Sequence, residues 1–277
     1  MYTVRRSTSI CFFLRNCHVS LWRVKEERDI QTTDCDIVDA SPITKGDLAG
    51  LPEPVHRYLE IVGVIGRPRI QTVFLRQCGR FRTSPNGPWG NLRAEQRYTV
   101  QPPSFVWRAT IATSPLLPIR VVDGFWDGHG TLQAKLWGVL SVARAAGPEV
   151  DSGELLRFLS EFVWFPTAWL SPYVTWSERD EASAEATISW AGTTASVTLV
   201  FDQDGRINHL EAMRYRLVGR TYSLDRWTTP VSGYAVVNDL LVPLKGKAIF
   251  RLTTGDFEYF DGEVTQLEYD QPATSRA

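Results

Sequence analysis

DSGELLRFLSEFVWFPTAWL, Asp151 to Leu170, reads as an amphipathic helix that runs into an aromatic turn. At about 100° per residue, Leu155, Leu156, Phe158, Leu159, Phe162 and Val163 share one broad apolar arc, with Glu154, Arg157, Ser160 and Glu161 opposite. Such a helix has a face to bury. Asp151 is placed to cap it, and Glu154, three residues on, to reach back to the cap amide as in a capping box. Pro166 marks the stop, because a proline pushes the residue before it out of helical geometry. Trp164, Phe165 and Trp169 therefore leave the helix as a bulky cluster, and Trp164 is expected to anchor the join to the core.

On either side of this helix the pattern is that of strands. From Arg69 onward, Val73, Leu75, Gly79 and Phe81 share one parity and Arg76, Cys78, Arg80 and Arg82 the other, so one face is buried and one is wet. The Pro, Asn and Gly of Ser84 to Gly90 turn the chain into a second alternating strand, Leu92 to Val100. Further strands are expected at Phe105 to Ile111 and Ile119 to Trp126. Leu132 to Val142 fits two templates: Leu132, Leu136, Val139 and Leu140 suit a helix beside the central one, whereas Gly138, Val139 and Val142 suit a strand. The helix is the favoured reading.

After Leu170, strands return at Tyr173 to Trp176, Glu185 to Trp190, Thr194 to Phe201 and Arg206 to Arg216. Others follow at Tyr222 to Thr229, Ser232 to Asn238, Leu241 to Leu252 and Glu263 to Tyr269. Short turns between neighbours imply antiparallel pairing, since a parallel crossover needs a dozen residues or more. The fold class is therefore α+β.

The folded body opens on a short helix near Leu51, where Val55, Tyr58, Leu59 and Val62 keep helical spacing and Gly63 can end it. Residues 1–45 read as a poorly packed N-terminal tail and residues 46–277 as a single α+β domain. Arg5 and Arg6 before Ile10 to Leu14 imitate a secretory signal, but Arg15, Asn16 and His18 break the apolar run too early. With neither a signal nor an anchor in it, a cytoplasmic location is expected, and no transmembrane segment.

Of the 277 residues, 22% are charged and 43% hydrophobic, the balance of a globular domain able to bury a sizeable core. A net charge of −1 supplies no field to gather polyanions, so nucleic acid is excluded as a partner. Ten Trp, nine Tyr and thirteen Phe are more aromatic surface than a small core needs, and can fill wide spaces or line an apolar cleft. Cys11, Cys17, Cys35 and Cys78 show no Cys-x-x-Cys spacing, so no zinc site or redox pair is indicated.

Four stretches together carry a resemblance: GLPEPVHRYLEIVGVIGRPRI (Gly50 to Ile70), AEQRYTVQPPSFVW (Ala94 to Trp107), the central helix, and GDFEYFDGEVTQLEY (Gly255 to Tyr269). From Leu51 to Tyr269 the chain resembles an uncharacterised bacterial family built on a domain of unknown function. The resemblance implies a curved antiparallel sheet, a half-barrel, with helices packed in its concave face, similar to the periplasmic lipoprotein carriers and their lipid-binding relatives. It implies no established activity. Ser141 and Arg144 stand where that family's pattern has a proline and an aspartate, and no membrane-anchoring helix of the kind some members carry is found.

Candidate chemistry is sparse. Glu154, Arg157 and Glu161 lie on one helical face, where exposed pairs are worth only about 0.3 to 0.5 kcal/mol each, while a covering sheet could raise an acid's pKa and make it an acid or base. Asp123, Asp127 and His129 could orient a proton transfer or bind a metal, but Asp-Gly-His-Gly is also what a tight turn requires. Arg76, Arg80, Arg82, Arg93 and Arg97 could form a basic stripe, interrupted by Glu95, and read better as a solvated sheet face. No nucleophile motif or dinucleotide fingerprint occurs, and no cofactor or metal is expected. Three readings follow. The first is a non-enzymatic carrier or sensor of an apolar or amphiphilic, lipid-like ligand lined by Trp107, Phe125, Phe158, Phe162 and Trp164. The second is a hydrolase or isomerase using Glu154 or Glu161 with Arg157. The third is a partner-binding scaffold exposing Trp126, Trp164 and Trp169.

Overall fold

The computed structural model of the chain describes residues 41–114 and 116–270; most of the expected tail, with Cys11, Cys17 and Cys35, lies outside them. Six strands come first: β1 (Thr72–Phe81), β2 (Gly90–Thr99), β3 (Ser104–Ala112), β4 (Pro118–Trp126), β5 (His129–Leu136) and β6 (Leu140–Ala146). Seven follow the central helix: β7 (Val174–Asp180), β8 (Ser183–Trp190), β9 (Thr193–Phe201), β10 (Ile207–Val218), β11 (Thr221–Val237), β12 (Leu240–Leu252) and β13 (Gly255–Tyr269). All 13 belong to one antiparallel sheet in the order β6-β5-β4-β3-β2-β1-β13-β12-β11-β10-β9-β8-β7. Two meanders thus meet at the sheet's centre, where Val73 pairs with Tyr269 and Phe81 with Phe260. No helix among the described residues is long and apolar enough to cross a membrane.

The sheet is open and curved, and its concave face holds two helices, α1 (Glu53–Val62) and α2 (Pro148–Ser160). In α1, Val55, Tyr58, Leu59 and Val62 are all buried, and Gly63 ends the helix at φ 84°, a conformation glycine adopts without strain. Ile43 and Leu48, before it in the chain, are already part of the same core. The helix α2 joins β6 at one sheet edge to β7 at the other. It packs on β4, β5 and β6 from the first meander and on β8, β9 and β10 from the second. The curvature brings turns from the two halves together: a Cβ on Gly128, between β4 and β5, would lie 2.4 Å from the Cβ of Ala191, between β8 and β9.

The apolar arc of α2 and the turn after it form the centre of the core. Phe158, Phe162 and Phe165 pack on one another, Tyr98 lies 4.9 Å from Phe165, and Phe162 leads through Trp169 to Trp176. Tilted and edge-on rings of this kind contribute about 0.5 to 1.5 kcal/mol per pair beyond their buried area. Trp164 is buried at the join, and its carbonyl accepts a hydrogen bond from the Tyr269 hydroxyl of β13.

Several expectations need correction. The helix starts one turn before Asp151, with Gly147 as N-cap and Pro148 in the first turn, where a missing N–H costs nothing. Asp151 instead accepts a hydrogen bond from the Gly130 N–H at 2.7 Å, tying the helix start to β5. Two 3-10 turns, Glu161–Trp164 and Pro166–Leu170, carry the chain out of the helix. Leu132 to Val142 is no helix but the β5–β6 hairpin, turned at Trp137 and Gly138, both of positive φ. Leu132, Leu136 and Leu140 are four apart, a spacing that suits period two as well as a helix. Thr221–Val237 makes one long strand where two were expected, and the last strand begins at Gly255, well before Glu263.

Candidate functional site

The polar side of α2 is buried too. Arg157 reaches into the wall made by β2, β3 and β4: its Nη1 donates to Asp123 at 2.6 Å, its Nε to Glu161 at 3.0 Å and its Nη2 to Gln96 at 3.1 Å. The guanidinium lies over the rings of Phe105 and Trp107, at 5.0 and 4.9 Å. Glu161 also accepts from Gln96 at 2.8 Å and from the Tyr98 hydroxyl at 3.0 Å. From the second meander, Arg214 of β10 comes within 3.6 Å of Glu154 and stacks on Trp227.

This cluster sets three carboxyls, Asp123, Glu154 and Glu161, against two guanidiniums, Arg157 and Arg214. It balances when one acid is neutral, a role that burial favours for Glu154. Only 6% exposed, it is pushed up to about 8 by burial and by the Asp123 charge, against the pull of Arg214 and Arg157. Burial also raises Asp123 above the ordinary carboxylate range, despite Arg157 beside it. Burial works against the charge on Arg157, but the charges of Glu161 and Asp123 outweigh it and hold the guanidinium ionised. Asp123 Oδ1 and Glu154 Oε2 have no hydrogen-bond partner among the described residues. With every Arg157 nitrogen engaged, the cluster is a closed clasp joining the helix to both halves of the sheet. Glu154 and Glu161 are thus core groups rather than surface decoration.

A cleft lies on the other flank of α2. β9 and β10 pair only from Phe201 and Ile207 as far as Thr198 and Glu211; beyond that point β10 runs on to Val218 and β9 back to Thr193 with no ladder between them. Ser152 and Leu156 of α2 lie under the opening, and the resulting cleft has a volume of about 520 Å³. Ala195, Ala212, Met213, Leu224 and Trp227 give it apolar walls. Charges of both signs line it: Glu185 pairs with Arg179, Glu211 lies beside His209 and Arg251 pairs with Asp256, while Arg226 has no ion-pair partner among the described residues.

The five aromatics expected to line a ligand site, Trp107, Phe125, Phe158, Phe162 and Trp164, are all core side chains, and none lines this cleft. Trp107 donates its indole N–H to Gln77 at 3.1 Å. Glu154, Arg157 and Glu161 come together as expected, joined by Asp123, Gln96, Tyr98 and Arg214. Asp127 and Gly128 form the β4–β5 turn, and His129 lies 3.5 Å from Asp151 rather than beside Asp123. Trp164 and Trp169 are buried and Trp126 is half-buried, so these three make no exposed patch. The arginine stripe is a solvated face, with Arg76 paired to Glu95, Arg80 to Asp261, and Arg97 over Phe74.

No curated protein matches the chain in sequence. Among solved structures it is similar to a DUF1329 family protein from Desulfovibrio piger, at 9% identity over 86% of this chain and 95% of that one, with a TM-score of 0.45. It is similar also to a domain assigned to outer membrane lipoprotein sorting from Vibrio parahaemolyticus, at 11% identity over 75% and 87% of the two chains, with a TM-score of 0.44. A LolA superfamily protein from Nitrosomonas europaea matches at 9% identity over 83% and 94%, with a TM-score of 0.38. None of these likenesses bears on chemistry. The family model, by contrast, matches residues 41–262, and the chain belongs to the family of unknown function DUF6544.

Proposed function

We propose that the protein is a non-enzymatic carrier or sensor that binds an amphiphilic, lipid-like molecule in the cleft between β9 and β10. The observation that carries this reading is the pairing of an apolar wall with an uncommitted cation. Met213 and Leu224, each about half exposed, offer surface to an acyl or other hydrocarbon chain, with Leu156 and Trp227 buried behind them, and Arg226 stands ready for an anionic head group. A volume of about 520 Å³ falls within the range of small-molecule sites. The alternative, acid–base chemistry at Glu154, gains little support, because neither Glu154 nor Arg157 lines the cleft.

Titration calorimetry with a fatty acid and with a lysophospholipid, each below its micellar concentration, tests the reading. Saturable binding with quenching of tryptophan fluorescence is expected, and Arg226→Gln should weaken the fatty acid by about tenfold, the worth of one charged hydrogen bond. Absence of binding by either amphiphile overturns the proposal.

A further inference from the structure

The β3–β4 loop and the β5–β6 turn form a second apolar surface, separate from the cleft. Leu116 is 80% exposed, Val139 79%, Leu140 57% and Trp137 54%, four large apolar side chains held out into solvent. The two segments are locked together: the Trp137 N–H donates to the Pro118 carbonyl at 3.0 Å and its indole N–H to the Leu116 carbonyl at 2.9 Å. With its one polar atom engaged, the indole presents only hydrocarbon. The turn does not ask for tryptophan. At φ 52° the position suits Asn or Gly, and a bulky residue there is an outlier. A tryptophan at a backbone position that disfavours it points to a use for its surface.

The charge beside this tip has one sign. On β4, Val121, Asp123 and Phe125 face the core, which turns Arg120 outward; Arg120 pairs in register with Lys135 of β5, and Arg144 of β6 stands opposite Gln133. Arg120, Lys135 and Arg144 have no ion-pair partner among the described residues. Between Leu116 and Ala146 there are two acids: Asp123, buried on Arg157, and Asp127, in the β4–β5 turn at the far end of the strands. In a chain of net charge −1, three unpaired cations behind an exposed Trp and aliphatic cluster make a local amphipathic device.

We propose that this end of the sheet docks on an anionic lipid surface. Leu116, Trp137, Val139 and Leu140 enter the interfacial layer, and Arg120, Lys135 and Arg144 lie over the head groups. Tryptophan is suited to that depth, and basic side chains gain from the negative potential of anionic lipids. The inference goes beyond the cleft and stands whether or not the cleft takes an amphiphile.

Co-sedimentation of the full chain tests it, with vesicles of phosphatidylcholine alone and vesicles holding about one third phosphatidylglycerol, an anionic fraction that sets up a surface potential. Binding to the anionic vesicles, weakened by added salt, is expected. The triple variant Leu116→Ser, Trp137→Ser, Val139→Ser should lower the apparent affinity by about tenfold or more. Arg120→Gln, Lys135→Gln, Arg144→Gln should remove the preference for anionic vesicles and flatten the salt dependence. Five of the six positions are exposed and Lys135 is half-buried, and an unchanged unfolding midpoint shows that the variants fold. Met213→Glu, in the cleft, should leave vesicle binding as it is, so failure here is distinct from failure of the carrier reading. The proposal is overturned if the chain binds neither vesicle or both equally, or if the variants bind like the parent chain. It is overturned also if light scattering finds a dimer that the apolar triple variant dissolves, which would make the tip a self-association face.

Discussion

The two flanks of α2 meet the same sheet and do opposite things. Toward β2, β3 and β4 the helix is sealed, with Phe158 and Phe162 among aromatic rings and Arg157 closed on Asp123, Glu161 and Gln96. Toward β9 and β10 the ladder parts after Thr198 and Glu211, and Ser152 and Leu156 lie beneath a cleft. The difference teaches that a helix can hold a curved sheet together on one side while letting it open on the other. Substitutions on the sealed flank should therefore register in stability, and substitutions on the open flank in binding.

The largest effect is expected from Arg157→Leu. Removing the guanidinium leaves Asp123 and Glu161 buried without their counter-charge, at a cost of about 3 to 5 kcal/mol in a denaturant titration. The deficit should shrink in acid as the orphaned carboxyls take up protons. A loss under about 1 kcal/mol at neutral pH would show that water reaches the cluster, and the two flanks would not differ as described.

Trp164→Ala, at the exit from α2, should cost about 3 kcal/mol, the lower end for large aromatic truncations. An unfolding midpoint close to the parent's would place that side chain outside the core.

Glu154 belongs to both flanks, since it faces Arg157 and Arg214, and its signature is a pH dependence. Its folded-state pKa of about 8 lies above the ordinary 4.5, so between those values the native state holds a proton that the unfolded chain has lost. Its contribution is complete in acid and is lost as the pH rises through that window, on the order of 1 to 3 kcal/mol by neutrality. Glu154→Gln should abolish this loss, matching the parent chain near pH 4 and exceeding it in stability above neutrality. Parallel decline of both proteins from acid to alkaline pH would exclude Glu154 as the neutral member.

The smallest stability change should come from Met213→Glu on the open flank. At an exposed strand position it should stay within about 0.5 kcal/mol of the parent while weakening amphiphile binding by about tenfold. A large stability loss with binding intact would reverse the roles assigned to the two flanks.

Much of this was legible in residue order. Leu155, Leu156, Phe158, Leu159, Phe162 and Val163 are all buried, as their shared arc requires, and the strands on each side follow period two. Asp123, Asp127 and His129 are neighbours in sequence but not in space, and the alternation of Val121, Asp123 and Phe125 places Asp123 inward, where an acid needs a partner. Arg214 carried a similar sign, two residues from the half-buried Ala212 on the same strand face. The cleft carried none. It arises where β9 and β10 stop pairing, and the point at which a ladder ends depends on curvature and on the helix beneath, neither of which leaves a periodic trace. The hairpin at Trp137 was hidden because leucines four apart satisfy both periods.

The central pairing of β1 with β13 bears on how the chain is made. Val73 finds its partner Tyr269 only after nearly all the described chain has been synthesised, a closure across about two hundred residues. Each meander can form from local hairpins as it emerges, but until β13 arrives β1 presents an open edge along its whole length. Arg76 and Arg80 along that edge are well placed to discourage edge-to-edge association while the nascent chain waits.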